Sequence, residues 1–244
     1  MYYVYDGSFE GLLTAIFESY YRKQQPARIL CNSNLQHNLL EENIYILTDE
    51  EKASRVYNSI RDKISPEALK NVYYTYLSEQ EDAGTWIYDY IRFGYKVGHK
   101  IDLYLTDDRV QNIHKTRKKV SFEAHRMLGL LRFKQINTDT YYAPISPDNN
   151  IVTLLAPHFS ERLPDQNWVI HDTKRNIAAI FDKIEWYVTN ININQFDIFY
   201  AGNDPYEQLW KQYFASIAIK NRINPKLQRQ HMPARYWLYL VEKM

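Results

Sequence analysis

The chain has 244 residues, 45% hydrophobic and 24% charged, with a formal net charge of +1, a globular balance that argues against disorder. A single cysteine, Cys31, excludes an internal disulfide framework and a cysteine-based zinc or iron–sulfur site of the chain's own. Glycine is scarce, at 7 against 22 tyrosines, and neither GxGxxG nor a P-loop occurs, which removes the common Gly-rich phosphate cradles.

In chain order, Tyr2–Tyr5 reads as a short strand closed by Asp6-Gly7. Asp6 or Ser8 then caps a helix whose apolar residues Leu12, Leu13, Ile16, Phe17 and Tyr20 follow helical spacing. The polar stretch Cys31–Glu42 reads as loop and Asn43–Leu47 as a second strand. Thr48 with Glu51 has the form of a capping box, opening a helix through Ile60. Ser65-Pro66 is an N-cap with proline at the first helical position, for a helix carrying Leu69, Val72, Tyr73 and Tyr76. Helical patterning continues over 81–98, with Trp86, Tyr90 and Phe93 among its apolar positions, and again over 107–126.

The pattern then changes. Leu128–Lys134 and Thr140–Ile145 have strand composition around the turn-rich Asn137-Thr138-Asp139, which predicts a hairpin. Pro147-Asp148 opens a helix with Ile151, Leu154, Leu155, Phe159 and Leu163 inward. Trp168–His171, Ile177–Phe181 and Glu185–Val188 follow as strands, and Pro205–Lys220 and Pro233–Lys243 as helices. This order predicts an α+β fold, a small antiparallel sheet packed with a mostly helical remainder. With no repeat, low-complexity tract or linker, residues 1–244 read as one domain. It is helix-rich over 48–126 and sheet-rich over 127–190, and it closes in a basic, aromatic helical segment over 205–244. Met1 leads into polar-aromatic sequence without an apolar signal core, and no run of about 18 apolar residues occurs, so a soluble, cytoplasmic protein is expected.

The C-terminal segment is the most informative stretch. From Lys211 to Met244 seven Lys or Arg face one acid, Glu242, with Tyr213, Phe214, Tyr236, Trp237 and Tyr239 interleaved. Cations neutralise phosphates and flat rings stack on bases, so Asn221, Arg222, Lys226, Arg229, His231, Arg235, Tyr236 and Trp237 are candidates for nucleic-acid binding. A packing segment whose arginines pair with acids elsewhere is the structural alternative. A second basic run, His114–Lys119 continuing to Arg126 with Glu123 as its counter-charge, also fits a solvated helix face.

Candidate chemistry is sparser. His158 falls on the inward side of its helix, seven residues after Ile151, with Arg162 one turn later. His171 and Asp172 are neighbours on a strand, so their side chains point to opposite faces and adjacency does not make them a dyad. A cluster of His158, His171 and His231 with Asp172 would have to be assembled by the fold, since no HxH, HExxH or HxE…CxxC spacing exists. No metal site is therefore assigned. At the strand–turn–helix junction Asp6 and Ser8 fit capping groups, and the functional alternative places Asp6 and Glu10 at the edge of a site, as base or metal ligands. No GxSxG elbow accompanies Ser8.

Four segments together carry a family resemblance: YDGSFEGLLTAIFESY, RMLGLLRF, YYAPISPDNNIVTLLAPHFSERLPDQNWVIHDTKR and NRINPKLQRQHMPARYWLYL. They resemble an uncharacterised bacterial family described as DNA metabolism or repair proteins. Its members are encoded beside a radical-SAM partner and are in some cases fused to a uracil-DNA glycosylase-like domain. The resemblance spans nearly the whole chain. It implicates Asp6, Gly7, Ser8 and Glu10; Gly129, Arg132 and Phe133; Pro144 and Asp148; Pro157, His158, Phe159 and Arg162; Trp168, His171, Asp172 and Arg175; and Asn221, Arg222, Pro225, Gln228, Arg229, His231, Pro233, Arg235, Tyr236 and Trp237. The chain has no CxxxCxxC motif, so radical-SAM chemistry would come from another polypeptide, and no cofactor is expected in this one.

Three functions follow from these expectations. The first is an accessory subunit binding DNA (or RNA) beside a radical-SAM protein, with Arg222, Lys226, Arg229 and Arg235 on phosphates and Tyr236 or Trp237 stacking on a base. The second is a nuclease, glycosylase or lyase, with acid–base groups from Asp6, Glu10, His158, His171 or Asp172 and with Arg162 or Arg175 stabilising negative charge. The third is a protein-interaction scaffold presenting Tyr73, Tyr74, Tyr76, Trp86, Tyr88 and Tyr90.

Overall fold

A computed structural model of the chain describes residues 1–34, 42–191 and 224–240, together with Gln212 and Ser216. It divides into two units, Met1–Ser121 and Phe122–Met244.

In the first unit β1 (Tyr2–Tyr5) is the middle strand of a parallel three-stranded sheet, between β2 (Arg28–Cys31) and β3 (Asn43–Tyr45). The parallel pairing follows from α1 (Phe9–Tyr21), which returns the chain between β1 and β2. Cys31 thus ends a strand instead of opening a loop. A four-residue strand, half of it buried, leaves too short a pattern to read in sequence.

Ser8 is the N-cap of α1, its hydroxyl oxygen accepting from the Gly11 N–H at 2.9 Å. Asp6 in turn accepts from the Ser8 hydroxyl (2.6 Å), the Ser8 N–H (2.9 Å) and the Thr48 hydroxyl (2.8 Å). Because Thr48 is committed to Asp6, it is Asp49 that caps α2 (Glu50–Lys63), accepting from the Lys52 N–H at 3.0 Å. The N-cap expected at Thr48 is therefore displaced by one residue to Asp49.

Ser65 caps α3 (Pro66–Tyr76) as its sequence predicts. Next come α4 (Ala83–Val97), a 3-10 helix over Gly98–Leu103, and α5 (Asp108–Leu130). The core of this unit joins Tyr3, Leu12, Ile16, Ile29, Ile60, Val72, Ile87 and Ile91. Tyr88 and Tyr90 belong to it, which removes them from any tyrosine-rich docking surface.

The unit boundary falls within α5. Because α5 runs to Leu130, the hairpin expected from Leu128 begins only at Lys134. The second unit has a five-stranded sheet in sequence order: β4 (Lys134–Asn137), β5 (Thr140–Ile145), β6 (Asn167–Asp172), β7 (Ile177–Phe181) and β8 (Trp186–Asn190). The sheet is mixed, not antiparallel throughout. Between β5 and β6 lies α6 (Val152–Arg162), whose crossover makes this one pair parallel, with Pro144 opposite His171 and Ile145 opposite Asp172. The α+β class stands.

Trp168 stacks on Phe181 with ring centroids 5.2 Å apart, and Phe133 meets Phe159 edge-on at 5.2 Å, building an aromatic core against the sheet. Near the C-terminus Asn224 caps α7 (Pro225–His231), accepting from the Leu227 N–H at 3.0 Å. Of the expected helix Pro233–Lys243, residues Ala234–Tyr239 form a 3-10 helix, and residues 241–243 lie outside the described residues. The expected helix Pro205–Lys220 lies outside the described residues except for Gln212 and Ser216, both helical.

Candidate functional site

The parallel β5–β6 pair sets the carboxyl ends of both strands side by side, and the C-terminal segment is anchored there. From the turn after β5 come Pro147, Asp148 and Asn149; from the turn after β6 come Asp172, Thr173 and Arg175. Glu123, buried on α5, accepts from the backbone N–H groups of Asp148 and Asn149, both at 2.8 Å, and from the Tyr236 hydroxyl. Arg175 donates to the Asp172 carboxylate at 2.8 Å and to the carbonyls of Pro147 (3.2 Å) and Asp148 (2.8 Å). One guanidinium therefore ties the two turns together, and its side chain is 11% exposed.

Tyr236 and Leu240 are buried, while Arg235 folds over the Tyr236 ring, its guanidinium carbon 4.7 Å from the centroid. Arg235 also reaches the Asp148 carboxylate at 2.8 Å, with about half of each side chain exposed. Tyr239 is hydrogen-bonded to Thr173 at 3.1 Å, and the Trp237 indole N–H donates to the Met232 carbonyl at 2.9 Å. Burial, followed by the Glu123 carboxylate, pushes the Tyr236 phenol well above its ordinary range, so it remains a donor at neutral pH. The anchor is built from Glu123, Asp148 and Tyr236. The polar groups it leaves at the surface are Asn224, Lys226, Arg229, Gln230 and the outer part of Arg235, with Leu227 and Leu238 also exposed.

The other candidates fall differently. His171 and Asp172 are both fully buried. The His171 Nδ1 is hydrogen-bonded to the Tyr142 hydroxyl at 2.7 Å, and its Nε2 has no partner among the described residues. Burial lowers the His171 pKa below its ordinary value and raises that of the Tyr142 phenol to about 12. Burial also raises the Asp172 pKa, against the opposing pull of Arg175 and the N–H groups of Lys174 and Arg175. A group that exchanges protons with a substrate must be reachable, and here both are enclosed: His171 is hydrogen-bonded across the sheet to Tyr142, and Asp172 accepts from Lys174 and Arg175 of the following turn.

His158 is half-buried with its ring edge-on to Phe159 at 5.1 Å, but Arg162 is exposed, contrary to the inward position expected for it. Its long side chain at the last residue of α6 reaches solvent. The side chain of His231, and all of Asn221 and Arg222, lie outside the described residues. Among the described residues no three His, Cys, Asp or Glu side chains converge as a metal site.

In the first unit, Asp6 is consumed by capping. Burial alone would raise its pKa, but the Ser8 and Thr48 hydrogen bonds outweigh it and hold the carboxyl below the usual range. Glu10 is exposed in the first turn of α1.

A sequence model of one family, DUF4130, described as a domain of unknown function, matches residues 81–242. The chain belongs to the DUF4130 family. A comparison with curated proteins finds no match. The DUF4130 match takes in α4, α5 and the anchored C-terminal segment, and leaves Asp6 and Glu10 outside it. Among the described residues no helix is long and apolar enough to cross a membrane.

Two groupings escaped the sequence. Glu123 entered it only as a counter-charge in a basic run, although Val120, Glu123 and Met127 share one buried face of α5 at helical spacing. An acid on that stripe needs a partner, and the spacing was there to read. The second grouping centres on Asp102, which accepts from Tyr90 (2.7 Å) and Asn71 (3.1 Å) and is hydrogen-bonded to the ring Nε2 of His114 (2.7 Å). No local pattern marks that convergence. It takes His114 out of the basic run, and Arg117 is likewise paired with Glu67 at 2.6 Å.

Proposed function

We propose that this protein is a nucleic-acid-binding accessory subunit in DNA repair or modification, and that it works beside a radical-SAM enzyme. DNA, or RNA, would lie along the C-terminal segment. The observation that supports this reading is the separation of roles in that segment: Tyr236 and Leu240 are buried as anchors, while Lys226 and Arg229 of α7 are exposed. Anchored cations offer phosphates a surface whose ordering cost is already met in folding. Arg222 would add to them. Stacking would fall to the half-buried Trp237, because the Tyr236 ring is enclosed and its hydroxyl committed to Glu123. The radical-SAM partnership rests on the family resemblance carried by the segments quoted above.

Binding to single strand, duplex and RNA, titrated between 50 and 200 mM salt, tests the first part. Affinity is expected to fall with a log–log slope near the number of phosphates contacted. Lys226→Ala with Arg229→Ala should weaken binding and flatten that slope by about 2. Unchanged affinity and slope in the double variant would sink the site assignment. Co-purification with a radical-SAM protein, with nuclease present throughout, tests the partnership.

A further inference from the structure

The first unit carries a cleft of about 550 Å³ on the side of α1, α2 and α4. Phe17, Tyr20 and Tyr21 of α1 and Tyr95 of α4 supply its aromatic surface, and Arg55, Ser59 and Lys63 stand along one side of α2. Spacing of four residues sets these last three on a single helix face. Tyr20 and Tyr95 meet edge to face with centroids 5.9 Å apart, and Phe17 lies nearly parallel to Tyr21 at 6.1 Å.

Tyr20 is 47% and Tyr21 76% exposed, so two large rings stand open to solvent beside two cations. No acidic side chain lines the cleft. Among the described residues neither Arg55 nor Lys63 pairs with a carboxylate, whereas Lys52 of the same helix is held by Glu18 at 2.9 Å. Arg55 instead lies over the Phe17 ring, 5.1 Å from its centroid. The neighbouring Asp62 is engaged by Arg61 at 2.8 Å.

We propose that this cleft is a binding site for a nucleotide unit, the base resting against Tyr20 and Tyr95 and the phosphate held by Arg55 and Lys63. The chemistry selects a ligand that is flat and aromatic at one end and anionic at the other. A neutral aromatic ring would leave two cations uncompensated, and a bare anion would leave the rings unused. The size agrees, since small-molecule sites run from about 300 to 1,000 Å³. The unit could arrive as a free mononucleotide or as one residue of a single strand. The site belongs wholly to the first unit, and the proposal does not rest on the reading given for the C-terminal segment.

Equilibrium dialysis of the full chain with AMP, adenosine, inorganic phosphate and a short single-stranded oligonucleotide tests the proposal. AMP or the oligonucleotide should bind saturably, and more tightly than adenosine or phosphate. Arg55→Ala with Lys63→Ala should weaken that binding at least about tenfold and leave the weak adenosine binding unchanged. Tyr20→Ala should weaken adenosine as well. All three side chains lie at the surface, and an unchanged thermal midpoint in each variant confirms an intact fold. Preference for AMP assigns a free nucleotide. Preference for the oligonucleotide, surviving Lys226→Ala with Arg229→Ala, assigns a residue of a strand. The proposal is overturned if neither ligand saturates, if phosphate alone binds as well as AMP, or if the cleft variants bind like the parent. Failure of the tail variants to affect nucleic-acid binding would count against the C-terminal reading alone.

Discussion

Glu123 and Tyr236 stand 113 residues apart in the chain, and the phenol of the second donates directly to the carboxylate of the first. That contact joins α5 to the C-terminal 3-10 helix. The same carboxylate also receives the N–H groups of Asp148 and Asn149. Tyr236→Phe removes one donor and leaves a buried carboxylate partly satisfied, a loss of about 1.5–3 kcal/mol for a hydrogen bond to a charged group. Urea unfolding followed through the second unit should show it. Limited proteolysis should then cut near residues 232–240 faster than in the parent. A variant with unchanged unfolding and unchanged cleavage would mean that the contact does not hold the segment.

Arg235 separates anchoring from binding. Its pair with Asp148 is half exposed on both sides, and such pairs contribute about 0–1 kcal/mol. Arg235→Ala also loses the hydrogen bond and ring contact with Tyr236, so stability should fall modestly, by about 1–2 kcal/mol. If the residue contacts a phosphate, nucleic-acid affinity should fall and the salt slope should decrease by about 1. A loss of stability without a change in slope would place Arg235 wholly within the anchor.

How far the sequence reached is clearest at these residues. The helices announced themselves where a cap and a periodic face agreed, as at Ser65-Pro66 with Leu69 and Val72. Strands β5 to β8 were legible from short apolar runs, but β4 was expected over Leu128–Lys134 and forms at Lys134–Asn137, and the direction of the strands was not legible. Whether β5 and β6 run parallel depends on the α6 crossover packing back, a tertiary event that no local pattern encodes. That direction decides the candidate site, because it sets Asp148 beside Arg175. The C-terminal cations were visible as charge. Which of them remain exposed was not, since exposure depends on Glu123, distant in sequence and buried.

His171 makes the second unit sensitive to pH. Burial holds its pKa below the unfolded value, so the unfolded chain takes up a proton first as pH falls. Stability from this residue is present above the unfolded pKa, about 6.5, and is lost as pH drops through it toward the lower folded value. Asp172 acts in the opposite sense. Its folded pKa is raised, so its contribution is greatest at low pH and is lost as pH rises from about 3.9 through the folded value. Between pH 7.5 and 5.5 the comparison of the parent with His171→Asn isolates the His171 contribution. The urea midpoint of the parent should fall across that range, and that of His171→Asn should fall less. Equal slopes in parent and variant would show that other groups carry the dependence.

Asp102 tests the network that the sequence did not reveal. Its carboxylate accepts from Tyr90 and Asn71, and Tyr90 is fully buried in the core of the first unit. Asp102→Ala should strand buried donors and cost about 1–3 kcal/mol for each. Tyr90→Phe alone should cost less, because it removes a donor together with its need for an acceptor. A double-mutant cycle between the two positions should return a coupling of about 0.5–3 kcal/mol. A coupling near zero would mean that the two groups do not depend on one another.

The junction after β1 yields the sharpest steric expectation. A Cβ at Gly11 would stand 2.3 Å from the Asp6 Oδ1 and 2.8 Å from the Thr48 Oγ1. Helix propensity favours alanine over glycine by about 1 kcal/mol, so Gly11→Ala on an open helix face would stabilise. Here the added methyl must push Asp6 away from Ser8 and Thr48, breaking the hydrogen bonds that brace the cap of α1. The net effect should be a destabilisation of about 1–3 kcal/mol, measured by thermal or urea unfolding of the first unit. Thr48→Val tests the same cluster without the clash, since it removes the hydroxyl donor to Asp6 and keeps the shape. If Thr48→Val is neutral and Gly11→Ala stabilises, the Asp6 cluster does not constrain the helix start, and Asp6 becomes available for another role.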